Sequence, residues 1–367
     1  MRIGILTNHT VHNHGAVLQL YALEKVLEQK GCSACALNYK RNYDFLETNL
    51  TDKYELSFRS IPYYFSFLKE RGLGSVVYNY KKRKLLSRFK REKEMVGEYY
   101  SRAKSLDAVF VGSDEVFSID VGMTPCMYGH GVPSEHIFSY GASFGSTGKK
   151  QIENRHVQAL IESGIRQFEM VSVRDQNSLK LVRSFGRDDA ALVCDPVILY
   201  GYQAEKAKMR RPVEEKYVLC YSYDKNMNRP EEQQAIRAIA ARMGAKVYSV
   251  GFYHKWCDRS VNVDPIELLG YVLYAELVVT DTFHGSVMSI ITNTPFCAMA
   301  RGNSNKLENL LDEYGLSGRL VQQIEEIQSL SEKEINWIKV NKSIEERKTI
   351  GITFIESCLE KCKTWDS

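Results

Sequence analysis

Arg2-Ile-Gly-Ile-Leu-Thr7, the polar run Asn8 to His14, and then Gly15-Ala-Val-Leu-Gln-Leu-Tyr-Ala-Leu-Glu-Lys-Val-Leu27 form the stretch on which the fold turns. A short apolar strand gives way to a loop, and Leu20, Leu23, Val26 and Leu27 then recur along one helical face. Gly31 stops that helix, and Ala34 to Tyr39 reads as the next strand. Such a strand–loop–helix–strand start predicts an α/β sheet. The alternation continues through strands Ala108–Val111, Ile137–Tyr140, Met170–Val173 and Ala191–Cys194, with an apolar stripe of Val157, Leu160, Ile161, Ile165 and Phe168 between them. Residues 200–215 are polar and read as a linker. The pattern restarts with strands Tyr217–Tyr221, Lys246–Gly251 and Leu277–Thr280.

The expected architecture is therefore two Rossmann-like α/β domains facing across a cleft. The first spans 1–205 and carries a Tyr/Phe-rich and basic insertion at 41–105. The second spans 213–325, and a helical segment occupies 330–367. Ligands of such sheets bind beyond the carboxyl ends of the strands.

Composition narrows the function classes. With 367 residues, 44% hydrophobic and 26% charged, the chain can bury two real cores. A disordered scaffold, a fibre and a small disulfide module are excluded. The longest apolar run, Leu268 to Val279, is broken by Glu276 and falls short of the ~18 residues of a membrane span. The apolar start is too short for a signal-peptide core. Nine cysteines, an odd number, suit a reducing cytoplasm. Cys32 and Cys35 have CxxC spacing, but on a strand they face opposite sides and cannot share a metal. Cys358 and Cys362, one helical turn apart, are expected to face a helix–domain contact. His9, His12 and His14 sit in a loop without a nearby Cys or carboxylate, so no metal site is expected.

The net charge of +4 is local in origin. Lys81 to Glu94 holds eight basic residues against two acidic ones, a surplus of six that leaves −2 for the rest. A nucleic-acid face needs cations spread over a groove-sized surface, so no nucleic-acid partner is expected. The basic helix, residues 81–93, is instead expected to turn its Lys and Arg side chains outward while Leu85, Leu86, Phe89 and Val96 pack. Weak peripheral contact with an anionic membrane face follows from that arrangement.

Chemistry concentrates in Leu277-Val-Val-Thr-Asp-Thr-Phe-His-Gly-Ser-Val-Met-Ser-Ile-Ile291. A strand ends in Thr280-Asp281, and a turn places His284, Gly285 and Ser286 at a helix start, where free N–H groups suit an anion. The positive end of the helix disfavours imidazolium, which poises His284 to exchange a proton near neutral pH. Arg174 follows a strand directly and projects into the cleft, where its planar fork suits a carboxylate or phosphate; pairing with Asp175 is the alternative. Lys306 offers a point charge, with Arg301 as a rival. Asn13 and Gly15 open the first helix, either as caps or facing a substrate. Ser113, Asp114 and Ser143 lie at strand ends and suit sugar hydroxyls or loop bracing. Asp195-Pro196 reads as a strand exit with a turn.

Thr280-Asp-Thr-Phe-His-Gly-Ser286 resembles the hallmark segment of the polysaccharide pyruvyl transferase family. Five further stretches match in order: Asn13-His-Gly-Ala16 with Leu18-Gln19, Val111-Gly-Ser-Asp114, Tyr140-Gly-Ala-Ser-Phe-Gly145, Ser172-Val-Arg-Asp175 and Asp195-Pro196. Phe117 and Thr282 stand where that family commonly has Trp and Ser. The resemblance implies a GT-B-like pair of lobes and transfer of pyruvate from phosphoenolpyruvate, the co-substrate, onto hydroxyls of a polysaccharide or its lipid-linked precursor. A pyruvate ketal would form and phosphate would leave, with no cofactor required. It also implies functional roles for Arg174, His284 and Lys306; Asp281 joins them as a catalytic candidate. A nucleotide-sugar glycosyltransferase and a non-catalytic glycan-binding protein remain the competing readings.

Overall fold

Two parallel sheets, wound in the same order, carry the chain in a computed structural model. It describes residues 1–40, 61–120, 122–301 and 304–363, with side chains except at 61–71, 304 and 305. The start of the Tyr/Phe-rich insertion, 41–60, lies outside the described residues.

The first sheet contains β1 (Arg2–Leu6), β2 (Ser33–Asn38), β3 (Val96–Tyr99), β4 (Ala108–Asp114), β5 (Ile137–Ala142), β6 (Ser172–Val173) and β7 (Ala191–Leu192), in the order 3-2-1-4-5-6-7. The second contains β8 (Tyr217–Tyr221), β9 (Lys246–Val250), β10 (Arg259–Val261), β11 (Leu277–Thr280), β12 (Phe296–Met299) and β13 (Leu320–Val321), in the order 10-9-8-11-12-13. Parallel strands are covered on both faces, so they need apolar runs rather than alternation. Every residue of β5, β8, β11 and β12 is accordingly buried. Winding direction reverses between β1 and β4 and again between β8 and β11. Loops diverge at these two points and leave a crevice.

The insertion is more regular than its sequence suggests. The helix Ile61–Glu92 fills much of it, and β3 then pairs in parallel with β2. Val96 thus belongs to a strand and not to the helical stripe. The open edge of β2 supplies the backbone partners that decide this, and local periodicity does not register them. Leu86 and Phe89 do pack inward, at 0% and 6% exposure. Lys82 overturns the expectation that all the basic side chains point out: it is buried, with Nζ donating to Gly251 O at 2.8 Å and lying 4.2 Å from the Phe252 ring centroid. A carbonyl and an aromatic face replace its water shell. Burial lowers its pKa to about 8.

The helix Trp337–Lys363 returns from the second sheet to the first. Phe354 lies beside Tyr140, Cys358 Sγ is 3.8 Å from Met170 Sδ, and Lys30 pairs with Glu356 at 2.6 Å.

Candidate active site

Arg174 leaves β6 at the carboxyl edge of the first sheet and lines a cleft of about 750 Å³, part of it open to solvent. Its partner is not Asp175, which caps the helix Gln176–Ser184 through Ser178 N at 2.8 Å. Arg174 Nη1 donates to Asp195 Oδ2 at 3.0 Å, and Nη2 lies 3.5 Å from Asp114 Oδ1. The Phe283 ring sits 4.8 Å from the guanidinium carbon. Burial disfavours the charge, but the surrounding carboxylates, Asp195 foremost, more than restore it and raise the pKa.

Asp195 is therefore more than a strand exit. Its carboxylate is buried, accepts from Gln19 Nε2 and Arg174, and caps the helix Pro196–Tyr200 through Val197 N at 2.9 Å. The pairing of Ser172 with Ala191 and of Val173 with Leu192 brings the residues beyond β6 and β7 together. Nothing in the local sequence says that these two strands are neighbours.

His284 comes from the second sheet. It is the second residue of the helix Phe283–Thr292, which follows β11 and is capped by Thr282 through Gly285 N at 2.9 Å. Its imidazole packs on Gly15 so closely that a Cβ there would overlap His284 Cγ and Nδ1. The first helix of one half thereby locates the histidine of the other. Burial lowers the His284 pKa, with Arg174 adding to the shift and Asp195, Asp114 and Glu115 opposing it. The ring is neutral at neutral pH, and its Nε2 is buried without a hydrogen-bond partner among the described residues.

Lys306, in the first turns of the helix Ser304–Glu313, lines the same cleft and pairs with Glu115 beyond β4. Ser143 is buried at its wall, its Oγ accepting from Gly145 N at 2.9 Å. The sequence reading missed Tyr314 and Arg347, which also line the cleft. Arg347 belongs to the terminal helix and pairs with Glu313 at 2.8 Å. The only local sign of it was a charge on an amphipathic helix.

Other expectations are placed elsewhere. Asp281 is buried in the second half, accepting from Asn226 Nδ2 at 2.5 Å and lying 3.8 Å from Arg301 Nε; no hydrogen bond to His284 or Arg174 joins it to the cleft. Arg301 is committed to Glu232 at 2.7 Å, so it does not rival Lys306. Gly285 serves tight packing against Thr280, and its N–H is already taken by Thr282 rather than left for a ligand. Ser286 is buried with Oγ turned back to Thr282 O at 3.5 Å. Asn13 caps its helix through Gly15 N at 2.8 Å. Ser113 is buried and receives Thr7 Oγ1 on its carbonyl at 2.9 Å. His14 Nε2 meets Val263 O at 2.9 Å, tying the two halves together. Among the described residues no group of three or more His, Cys, Asp or Glu side chains is arranged to hold a metal ion.

Two Rossmann-like lobes with their facing edges around one cleft define a GT-B architecture. The same fold occurs in UDP-N-acetylglucosamine 2-epimerase from Rickettsia bellii (TM-score 0.52, 8% identity, covering 98% of this chain and 96% of that one). It also occurs in a Listeria monocytogenes protein assigned as a UDP-N-acetylglucosamine 2-epimerase (TM-score 0.52, 10% identity, covering 98% and 95%). None of the curated proteins compared matches the chain in sequence. The family model for polysaccharide pyruvyl transferase matches residues 13–303. The chain belongs to the polysaccharide pyruvyl transferase family, a family of transferases.

Proposed function

We propose that the chain transfers the pyruvyl group of phosphoenolpyruvate onto hydroxyls of a polysaccharide or its lipid-linked precursor, forming a ketal and releasing phosphate. The observation that carries this reading is the convergence of Arg174, Lys306, Ser143 and Asp195 on one cleft, with a neutral His284 in electrostatic contact with Arg174 and Asp195. The donor bears a carboxylate and a phosphate. Arg174 suits the first as a planar fork and Lys306 the second as a point charge.

The enol CH₂ gains a proton, which makes the neighbouring carbon electrophilic, and the sugar hydroxyl that adds there gives up an equivalent proton, relayed to the CH₂ through His284. A second hydroxyl displaces phosphate to close the ketal. His284, uncharged and with an unpartnered Nε2, is the group assigned to proton exchange. Asp195 and Asp114 act as positioning residues that hold Arg174. Ser143 and Asp114 are assigned to the acceptor hydroxyls, and the first lobe to the acceptor side. No step calls on a metal or organic cofactor.

Lys306 and Glu115 must separate for the lysine to reach a phosphate. The Glu115 side chain, 38% exposed, is within reach of water and can be resolvated when the pair opens.

The test is phosphate release from phosphoenolpyruvate across a panel of glycosides and lipid-linked oligosaccharides, with ketal formation followed by mass spectrometry. Acceptor-dependent phosphate release is the expected result. Release of a nucleoside diphosphate from a sugar nucleotide, with phosphoenolpyruvate untouched, overturns the assignment.

A further inference from the structure

The helix Ile61–Glu92 bridges the two halves, and among the described residues only one of its two opposite faces is packed. Beyond the break at Gly72, where φ is +75°, the buried residues Ser75, Tyr78, Lys82, Leu86 and Phe89 recur at i, i+3, i+7, i+11 and i+14. They face inward. Tyr78 Oη donates to Val261 O at 2.6 Å, and Asn79 Nδ2 to Asp224 Oδ2 at 2.8 Å, both in the second half. Lys90 Nζ donates to His9 O at 2.6 Å in the first.

Rotated by half a turn lies a second stripe, Leu73, Val77, Tyr80, Lys84, Arg88 and Arg91, at i, i+4, i+7, i+11, i+15 and i+18. At 100° per residue these six span a sector of about 80°, and they run about 27 Å along the axis. Leu73 is 70% exposed, Val77 50% and Tyr80 58%; they account for three of the six large apolar residues exposed among the described residues. The three cations that continue the stripe are exposed as well. Lys84 Nζ leans over the Tyr80 ring at 4.9 Å, joining the apolar half to the basic half. One carboxylate, Glu92, touches the stripe, pairing with Arg88 at 2.7 Å where both side chains are more than half exposed. Such a pair is weak and yields to a denser field of anions.

An exposed apolar patch that grades into cations along one helical face matches a surface that is itself layered, with hydrocarbon beneath and anionic headgroups above. We infer that the stripe Leu73–Val77–Tyr80–Lys84–Arg88–Arg91 docks this protein on an anionic lipid bilayer, with the helix tilted so that its Leu73 end reaches hydrocarbon while Lys84, Arg88 and Arg91 stay at the headgroups. Charge complementarity selects that occupant: the face is cationic while the chain without residues 81–94 carries −2. The inner face of the same helix bonds to both halves, so docking orients both lobes on the surface. The inference is independent of which donor the cleft uses.

The test is co-sedimentation of the full chain with vesicles of phosphatidylglycerol and phosphatidylcholine, against vesicles of phosphatidylcholine alone, at low salt and at roughly 0.5 M salt, where charges separated by more than about 4 Å are screened. Binding to the anionic vesicles that fades with salt is expected. Lys84→Gln with Arg88→Gln and Arg91→Gln should lower partition roughly a hundred-fold. Leu73→Gln with Val77→Gln and Tyr80→Gln should lower it roughly ten-fold or more. None of the six touches the cleft or the core, so unchanged circular dichroism and melting temperature certify both variants. Equal partition to the two vesicle types, no sedimentation at low salt, or full binding by the apolar variant overturns the inference. Light scattering that reveals a dimer dissolved by the apolar substitutions, with no vesicle binding, assigns the face to a second copy instead and overturns it equally.

Discussion

The two sheets share a strand order yet contribute to the cleft in different ways. On the first sheet's edge, Arg174, Asp195 and Asp114 form a buried ionic chain, with side-chain exposures of 5%, 1% and 18%. Gln19 and the amide of Val197 brace Asp195 further. On the second sheet's edge, His284 is neutral with Nε2 unpartnered among the described residues, and Lys306 has a partner, Glu115, that is 38% exposed. Charges in low dielectric are costly to move, so the first edge is a fixed framework. The second edge holds the groups whose proton or partner can change. Division of labour between two lobes of similar topology therefore follows from how each group is partnered.

The largest expected effect falls on the second edge. His284→Asn should reduce phosphoenolpyruvate-dependent phosphate release by about 10² to 10⁴-fold while the melting temperature stays near that of wild type. Full turnover in the folded variant would remove the histidine from the chemistry. The lowered pKa gives the sign of the pH response: wild-type turnover holds through neutrality and falls only when acid protonates the ring, below the ordinary histidine value of 6.5. A rate profile that drops already between pH 8 and 7 on acidification contradicts this.

Gly15→Ala probes whether the first half positions the catalytic group of the second. The added methyl must displace the His284 ring, and misplacement by about 1 Å costs on the order of 10²-fold in rate. The expectation is a loss in kcat with donor affinity retained, read from steady-state kinetics beside a donor titration. Loss of both together would make the glycine a folding requirement only.

Arg174→Lys keeps the charge but not the fork. The loss of one charge-assisted hydrogen bond, about 1.5 to 3 kcal/mol, predicts donor binding weaker by about ten- to a hundred-fold in isothermal titration. Unaltered binding would confine Arg174 to holding the two aspartates. The smallest effect belongs to Lys306, whose partner Glu115 is 38% exposed. Lys306→Gln should weaken donor binding by only about two- to five-fold, with the effect shrinking as salt rises. A loss as large as that of Arg174→Lys would contradict the contrast drawn between the two edges.

Much of this framework was legible in the sequence because it is written locally. Apolar strands followed by amphipathic helices announced both halves, and the polar run around Pro212 marked the passage between them. The places of Arg174 and His284 were legible because the first directly follows a buried strand and the second opens the helix after one. What escaped notice depends on strand adjacency and distant packing. Asp195 meets Arg174 only because β7 lies beside β6. Arg347 enters the cleft only because the last helix crosses back. Lys82 lies in a run of charges that reads as a solvated face, and only the carbonyl of Gly251 explains its burial. Asp281 was overrated for the opposite reason: its place beside His284 in sequence does not bring the two together.

The returning helix has a consequence for biosynthesis. Gly351 leaves room for Tyr140 Oη, which an added Cβ would meet at 2.5 Å, and Cys194 Sγ faces Arg347 O at 3.6 Å. Phe354, Ile355 and Cys358 are buried in the core that contains Phe138 and Tyr140. A ribosome delivers residues in order, so the first sheet emerges long before the segment that roofs it. Until residues 337–363 arrive, the nascent first half exposes the apolar flank that this helix covers. The completion of this lobe thus waits for residues 337–363, and a chain stalled before them would offer chaperones and proteases that same flank.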